Sequence, residues 1–219
     1  MTIKNLIFDL GGVWLPIDEK RTLAAFAALA TGDAAAQNAT SPMALAARLQ
    51  PTVLAYELGQ INDATLLARL RNALAAGTAK AATTDVPSDQ ALIQAWNAML
   101  LPFPEAHRPL LDAYGQRYRL FLLSNTNALH IRCVEQDFQS RFPGCKPFLQ
   151  HFEKAYLSHE LHLRKPQPEI YTHVLHDASL IPAETLFIDD RAENIAAAAV
   201  LGLHTRLHPA GAPLTDLPL

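Results

Sequence analysis

The stretch LIFDLGGVW, residues 6–14, decides the fold. Leu6, Ile7 and Phe8 are the branched and aromatic residues of a buried strand, and Asp9 follows them directly. That order places a carboxylate at the carboxyl end of the strand, where open α/β sheets bind ligands. Gly11 and Gly12 then break the run and let the backbone come close to whatever Asp9 holds. A strand ending on a solvated aspartate and a turn is spelled the same way, so the weight of the reading falls on the segments downstream.

Working outward, strand-like apolar runs recur at residues 3–8, 119–123, about 153–157, 185–188 and, more weakly, 203–206, with helical stretches between them. Strands alternating with helices predict an α/β protein with a Rossmann-like parallel sheet covered on both faces. The exception is the Ala- and Leu-rich region from 17 to 100, which contains no convincing strand. It reads as helices near 19–30, 43–57, 63–76 and 89–100, punctuated by Pro42, Gly59, Gly77 and Pro87. The expected organisation is a core of residues 1–16 and 101–219 with a small all-helical cap, 17–100, inserted after the first strand. Such an insertion would sit over that strand's carboxyl end as a lid; the alternative is that the helices simply cover one face of the sheet. Beyond Gly202, with Pro209, Pro213 and Pro218, a final short strand and a loose tail are expected.

Composition narrows the partners. A chain of 219 residues with 50% hydrophobic content has enough apolar material for a core. A net charge of −3 and a pI near 6.3 supply no basic field for nucleic acid and no polybasic patch for a membrane surface, which favours a small-molecule partner. The amino terminus shows no charged region followed by an apolar core and cleavage site, so a cytoplasmic protein is expected. Cys133 and Cys145 fit neither a redox pair nor a zinc site and are read as reduced bystanders. A monomer and a homodimer are both compatible with the letters.

Three further segments repeat the layout of the first. In LFLLSNTN, 120–127, Ser124 and the N–H groups after it can receive phosphate oxygens at a helix start, or serve as an ordinary helix cap. In LRKPQPEIY, 163–171, Arg164 and Lys165 precede a helix whose dipole they oppose. A bound anion would resolve that conflict, and a solvated surface pair is the alternative. In LFIDDRAEN, 186–194, Asp189 and Asp190 follow a buried strand, where adjacent carboxylates repel each other and lose hydration unless a cation or hydrogen-bond donors compensate. Mg²⁺ suits such a pair, and Asn194, one helical turn on, can orient one of them. An acidic helix cap is the competing explanation. Since parallel strands end on one side, Asp9, Ser124, Lys165 and the Asp189–Asp190 pair should meet in a single crevice.

The ordered set DLGGV, LLSNTN, RKP and FIDDRAEN resembles the haloacid dehalogenase superfamily of phosphohydrolases, and the 17–100 insertion is similar to that superfamily's type-one helical cap. In SNTNALH and RKPQPEIYTHVL the chain resembles bacterial phosphatases of α-D-glucose 1-phosphate. The resemblance implies that Asp9 attacks phosphorus to form an aspartyl-phosphate that water hydrolyses. It implies Mg²⁺ held by Asp9, the Gly11 carbonyl and Asp190, with Asp189 in support. Lys165, Ser124 and the Asn125 N–H would bind the phosphoryl oxygens, and Asn194 would stand behind them. One departure matters: the usual second aspartate, two residues after the nucleophile, is Gly11 here. General acid catalysis is worth about a hundredfold to ten-thousandfold and matters most for basic leaving groups, so sugar 1-phosphates are expected to suffer less from Gly11 than 6-phosphates. Two rivals use the same scaffold: a 2-haloacid dehalogenase, which needs no metal, and a catalytically silent sugar-phosphate-binding regulatory protein.

Weaker signals are read structurally. His159 and His162 are expected to pack or lie on the surface, and His130 to lie on a helix surface. Trp14, Trp96 and Phe103 are expected at the root of the cap. Tyr56 and Glu57 lie in a cap segment whose inward face periodicity does not identify.

Overall fold

Side chains alternate across the first strand, and that alternation divides the interior into two layers. In the computed structural model, which describes residues 2–30, 42–75, 86–209 and 211–217, β1 (Asn5–Phe8) sends Leu6 and Phe8 to one face and Ile7 to the other. Leu6 and Phe8 pack with Leu120, Leu122 and Ile188 against Leu111 and Tyr114 of α5 (Arg108–Gly115) and Val134 and Phe138 of α6 (Ala128–Arg141). Ile7 packs with Phe121, Leu123 and Phe187 against Ile170, Tyr171 and Val174 of α8 (Pro168–Asp177) and Ala198 of α9 (Ala192–Val200). These strands are buried on both sides, and so they read as unbroken apolar runs rather than as alternating ones.

Five parallel strands form one sheet in the order β3-β2-β1-β4-β5, with β2 at Arg119–Ser124, β3 at Lys154–Leu157, β4 at Thr185–Asp189 and β5 at His204–Leu207. The order runs outward in opposite directions from β1 and β4, so the crevice of such a sheet lies at their carboxyl ends. Asp9 leaves β1 there, and Asp189 closes β4 beside it.

The region between β1 and β2 holds α1 (Glu19–Ala30), α2 (Pro42–Glu57), α3 (Asp63–Ala75) and α4 (Asp89–Asn97). Phe26, Leu45, Leu49, Leu66, Leu70, Leu74, Leu92 and Trp96 give these helices a core of their own, completed by Leu129 from α6. The helices therefore do not cover a face of the sheet. They stand over the strands' carboxyl ends, touching the start of α6, the short α7 (Ser158–Leu161) and the loop before α8. Gly77, like the last residue of the expected third helix, lies outside the described residues.

Four expectations need correction. The fourth helix stops at Asn97 rather than 100, because residues 98–101 return to the core as a narrow neck: the Asp18 N–H donates to Met99 O at 2.8 Å and the Leu101 N–H to Pro16 O at 3.1 Å. The tail is docked rather than loose. Leu214 and Leu217 are buried in the sheet's core, the His208 N–H donates to Asp189 O at 2.9 Å, and the Leu214 N–H donates to His107 Nε2 at 3.0 Å. Trp14 and Phe103 sit in the core beneath the sheet, where Trp14 meets Phe8 edge-on at 5.1 Å; among the three aromatics only Trp96 belongs to the cap. His130 is wedged between cap and core rather than lying on a surface: its ring is 5.5 Å from that of Trp96, and its Nε2 donates to Trp96 O at 3.3 Å. No helix among the described residues is long and apolar enough to cross a membrane.

Candidate active site

Asp9 enters the crevice as the first residue beyond β1 and is almost fully buried. Its Oδ1 accepts the Leu10 N–H at 2.7 Å and lies 2.9 Å from Lys165 Nζ, while Oδ2 takes no protein hydrogen bond among the described residues. One oxygen is thus held and the other is left available. Burial pushes the Asp9 carboxyl up to about 7; Lys165 pulls it back and Asp189 adds to the rise.

Lys165 is buried to 1% exposure, which a lone ammonium would not tolerate. It is compensated on two sides, with Nζ 2.9 Å from Asp9 Oδ1 and 2.6 Å from Asp189 Oδ2. Its backbone is clamped as well. The Asn125 side chain accepts the Lys165 N–H on Oδ1 and donates Nδ2 to the Lys165 carbonyl, both at 2.9 Å. This amide-to-backbone pairing is a role for Asn125 that sequence reading missed, because the partners lie 40 residues apart.

Asp189 has no exposed surface and spends both oxygens on protein donors. Oδ2 takes Lys165; Oδ1 takes Asn194 Nδ2 and the Arg191 N–H, each at 2.9 Å. Asp190 is only half-buried, and burial together with the neighbouring Asp189 charge raises its carboxyl above the ordinary range. The DLGG turn presses against it: Gly12 has φ +75°, and a Cβ there would overlap Asp190 Oδ2. Gly11, by contrast, has ordinary space around its Cβ position, 3.4 Å from Ile17.

Asp9, Asp189 and Asp190 bring carboxylate oxygens within 4.8 Å of one another. Three carboxylates against one ammonium leave the crevice short of positive charge, and their all-oxygen donors suit a hard divalent cation such as Mg²⁺. Ser124 closes β2; the pairing of Phe8 with Leu122 puts it, two residues on, level with the DLGG turn. The Thr126 N–H is already spent on Ser158 Oγ at 2.9 Å, and Asn127 caps α6 by accepting the His130 N–H at 3.0 Å. Asn127 Oδ1 also takes Trp96 Nε1 at 3.2 Å, which ties the cap to this segment. Cys133 and Cys145 are free thiols.

A parallel sheet with a carboxylate-rich, lysine-compensated crevice at its switch point defines a hydrolase of the cap-and-core kind. The chain belongs to the haloacid dehalogenase-like hydrolases, whose family model matches residues 3–202. It is 31% identical over 208 residues, 93% of this chain and 90% of the relative, to the D-ribitol-5-phosphate phosphatase of Bacteroides thetaiotaomicron. A crystal structure of a haloacid dehalogenase-family enzyme from the same organism, in complex with magnesium and inorganic phosphate, superposes with a TM-score of 0.80 at 32% identity, covering 96% of each chain. A predicted hydrolase of this family from Porphyromonas gingivalis gives 0.75 at 28% identity, covering 97% of this chain and 94% of the other. An L-2-haloacid dehalogenase, at 16% identity and a TM-score of 0.59, shares the fold alone. The protein is a phosphatase of this superfamily, and the related enzyme from Bacteroides thetaiotaomicron has been crystallised with magnesium.

Proposed function

We propose that the chain hydrolyses phosphate monoesters of small sugars or polyols through an aspartyl-phosphate on Asp9. The observation that carries this reading is the juxtaposition of three carboxylates within 4.8 Å with Lys165 Nζ bridging Asp9 and Asp189. Asp9, Asp190 and the Gly11 carbonyl are the groups that would hold Mg²⁺, while Asp189, already saturated by Lys165, Asn194 and the Arg191 N–H, fixes the lysine. When bound, the ion supplies the positive charge that lets a carboxylate approach a phosphate dianion.

Asp9 then attacks phosphorus in line, splitting one hard displacement into two easier ones. Lys165 stabilises the phosphoryl oxygens and pulls the Asp9 carboxyl back toward its ionised form. Ser124 and the Asn125 N–H position the same oxygens, and the Asn125 side chain holds Lys165 in register. Residues 17–100 act as the lid that shapes the leaving-group pocket. The likeness to a phosphatase of D-ribitol 5-phosphate supports a polyhydroxylated substrate. The preference for glucose 1-phosphate suggested by Gly11 holds only where no other group supplies a proton.

The test is p-nitrophenyl phosphate hydrolysis with Mg²⁺ and with chelator, for the wild type and Asp9→Asn. Turnover that needs Mg²⁺ and vanishes in Asp9→Asn is expected. Undiminished turnover in Asp9→Asn, or in chelator, defeats the reading.

A further inference from the structure

Gly11 carries no proton, yet an alkoxide leaving from phosphorus needs one. The cap offers several carboxylates, and most are occupied. Asp18 accepts the Lys20 N–H, Asp63 is held by Tyr56 and Arg132, Asp89 pairs with Arg71, and Glu19 is exposed. Glu57, the last residue of α2, differs in its partner, Arg164, which belongs to the loop that carries Lys165. Its side chain is 21% exposed, and Oε2 lies 3.4 Å from Arg164 Nη2. Arg164 immediately precedes Lys165, and Arg191, immediately after Asp190, also acts electrostatically on Glu57. The carboxyl thus sits against the loop that carries Lys165.

Its position is fixed rather than adventitious. The next residue, Leu58, gives its carbonyl to His162 Nδ1 at 2.7 Å, and Gly59, at φ +63°, is pressed so closely on the His159 carbonyl that a Cβ would overlap it. Arg164 Nε is buried without a hydrogen-bond partner among the described residues, while Nη2 holds Glu57.

We propose that Glu57 is the general acid of the first half-reaction and the general base of the second. The proposal rests on the aspartyl-phosphate reading above. In the first step the Asp9 oxygen forms a bond to phosphorus as the bond from phosphorus to the leaving oxygen breaks; that oxygen keeps the electron pair and takes the proton from Glu57, leaving as an alcohol. In the second step Glu57, now a carboxylate, removes a proton from water as the water oxygen bonds to phosphorus. The bond to Asp9 breaks with its pair returning to the carboxylate, hydrogen phosphate departs, and Glu57 is protonated again. Burial raises the Glu57 carboxyl above its ordinary range and Arg164 pulls it back; Glu19 adds to the rise and Arg191 opposes it. The net rise favours the protonated form that the first step requires.

The experiment compares kcat/KM for an aryl ester, p-nitrophenyl phosphate, with that for a primary alkyl ester, ribitol 5-phosphate, in the wild type, Glu57→Gln and Glu57→Asp. Both values come from the same preparation, so their ratio is independent of how much of a variant is folded. A p-nitrophenolate ion leaves without a proton, so the aryl-to-alkyl ratio is expected to rise about a hundredfold or more in Glu57→Gln and only a few-fold in Glu57→Asp. Glu57→Gln should also release p-nitrophenolate in a stoichiometric burst, because hydrolysis of the phosphoenzyme has lost its base. An unchanged ratio in Glu57→Gln overturns the proposal, as does a wild type that cleaves the aryl ester but no primary polyol phosphate. A wild type inactive on both esters in Mg²⁺ contradicts instead the aspartyl-phosphate reading itself.

Discussion

A Cβ added at Gly12 meets Asp190 Oδ2 and must adopt φ +75°, whereas one added at Gly11 meets only Ile17 at 3.4 Å. Gly12→Ala is therefore expected to destabilise the protein by more than about 1 kcal/mol and to weaken Mg²⁺ binding, while Gly11→Ala changes stability by less than about 0.5 kcal/mol. Thermal denaturation with and without Mg²⁺ separates the two. The same local crowding sets a pH dependence. Asp9 titrates near 7 because burial outweighs the pull of Lys165, and it must lose its proton before it can ligate a cation or attack phosphorus. Mg²⁺ affinity should weaken about tenfold per unit below pH 7 and level off above it, as read by titration calorimetry. The sign for folding is opposite. A carboxyl raised in the folded state contributes stability that is complete below its unfolded value of 3.8 and lost as pH rises through about 7. The Mg²⁺-induced rise in Tm should accordingly be larger at pH 8 than at pH 6.

Between elements, the Asn125 amide transmits the position of β2 to Lys165 through two 2.9 Å hydrogen bonds. Asn125→Ala should lower kcat about a hundredfold by letting the ammonium drift, with little effect on Tm, since misplacement of a reacting group by about 1 Å costs that much. The docked tail gives a stability prediction instead. Leu214 has no exposed surface, so Leu214→Ala is expected to cost about 2–5 kcal/mol by denaturant unfolding. These two features also show where letters stop informing. The central strands β1, β2 and β4 were legible because each is a short apolar run bounded by turn residues, the edge strand β5, with His204, Thr205 and Arg206, only weakly so, and the carboxylates were legible because they follow those runs directly. The Asn125 clamp joins segments 40 residues apart and has no periodicity. The tail's prolines masked two leucines that act as anchors. His130 looked like a surface residue because nothing in its own helix announces that Trp96 will cover it.

Taken as a whole, the molecule is two apolar cores joined through a neck at residues 16–18 and 99–101. The sheet's own clusters draw nothing from α1–α4, so replacing residues 17–100 with a short glycine linker should leave a folded sheet by circular dichroism. Such a protein is expected to keep a Mg²⁺-dependent burst of p-nitrophenolate release, because the Asp9 cluster belongs wholly to the sheet, but to turn over slowly without Glu57 and to lose selectivity among sugar and polyol phosphates. In the intact protein the two halves also meet at Trp96, whose indole rests beside the His130 ring and donates to Asn127. Burial holds that imidazole neutral down to about pH 4. A protonated imidazole quenches indole emission, so a seated cap should fluoresce steadily from pH 8 to 5. An unseated one would let the ring recover its ordinary basicity and dim within that window, giving this phosphatase a native optical gauge of its own opening.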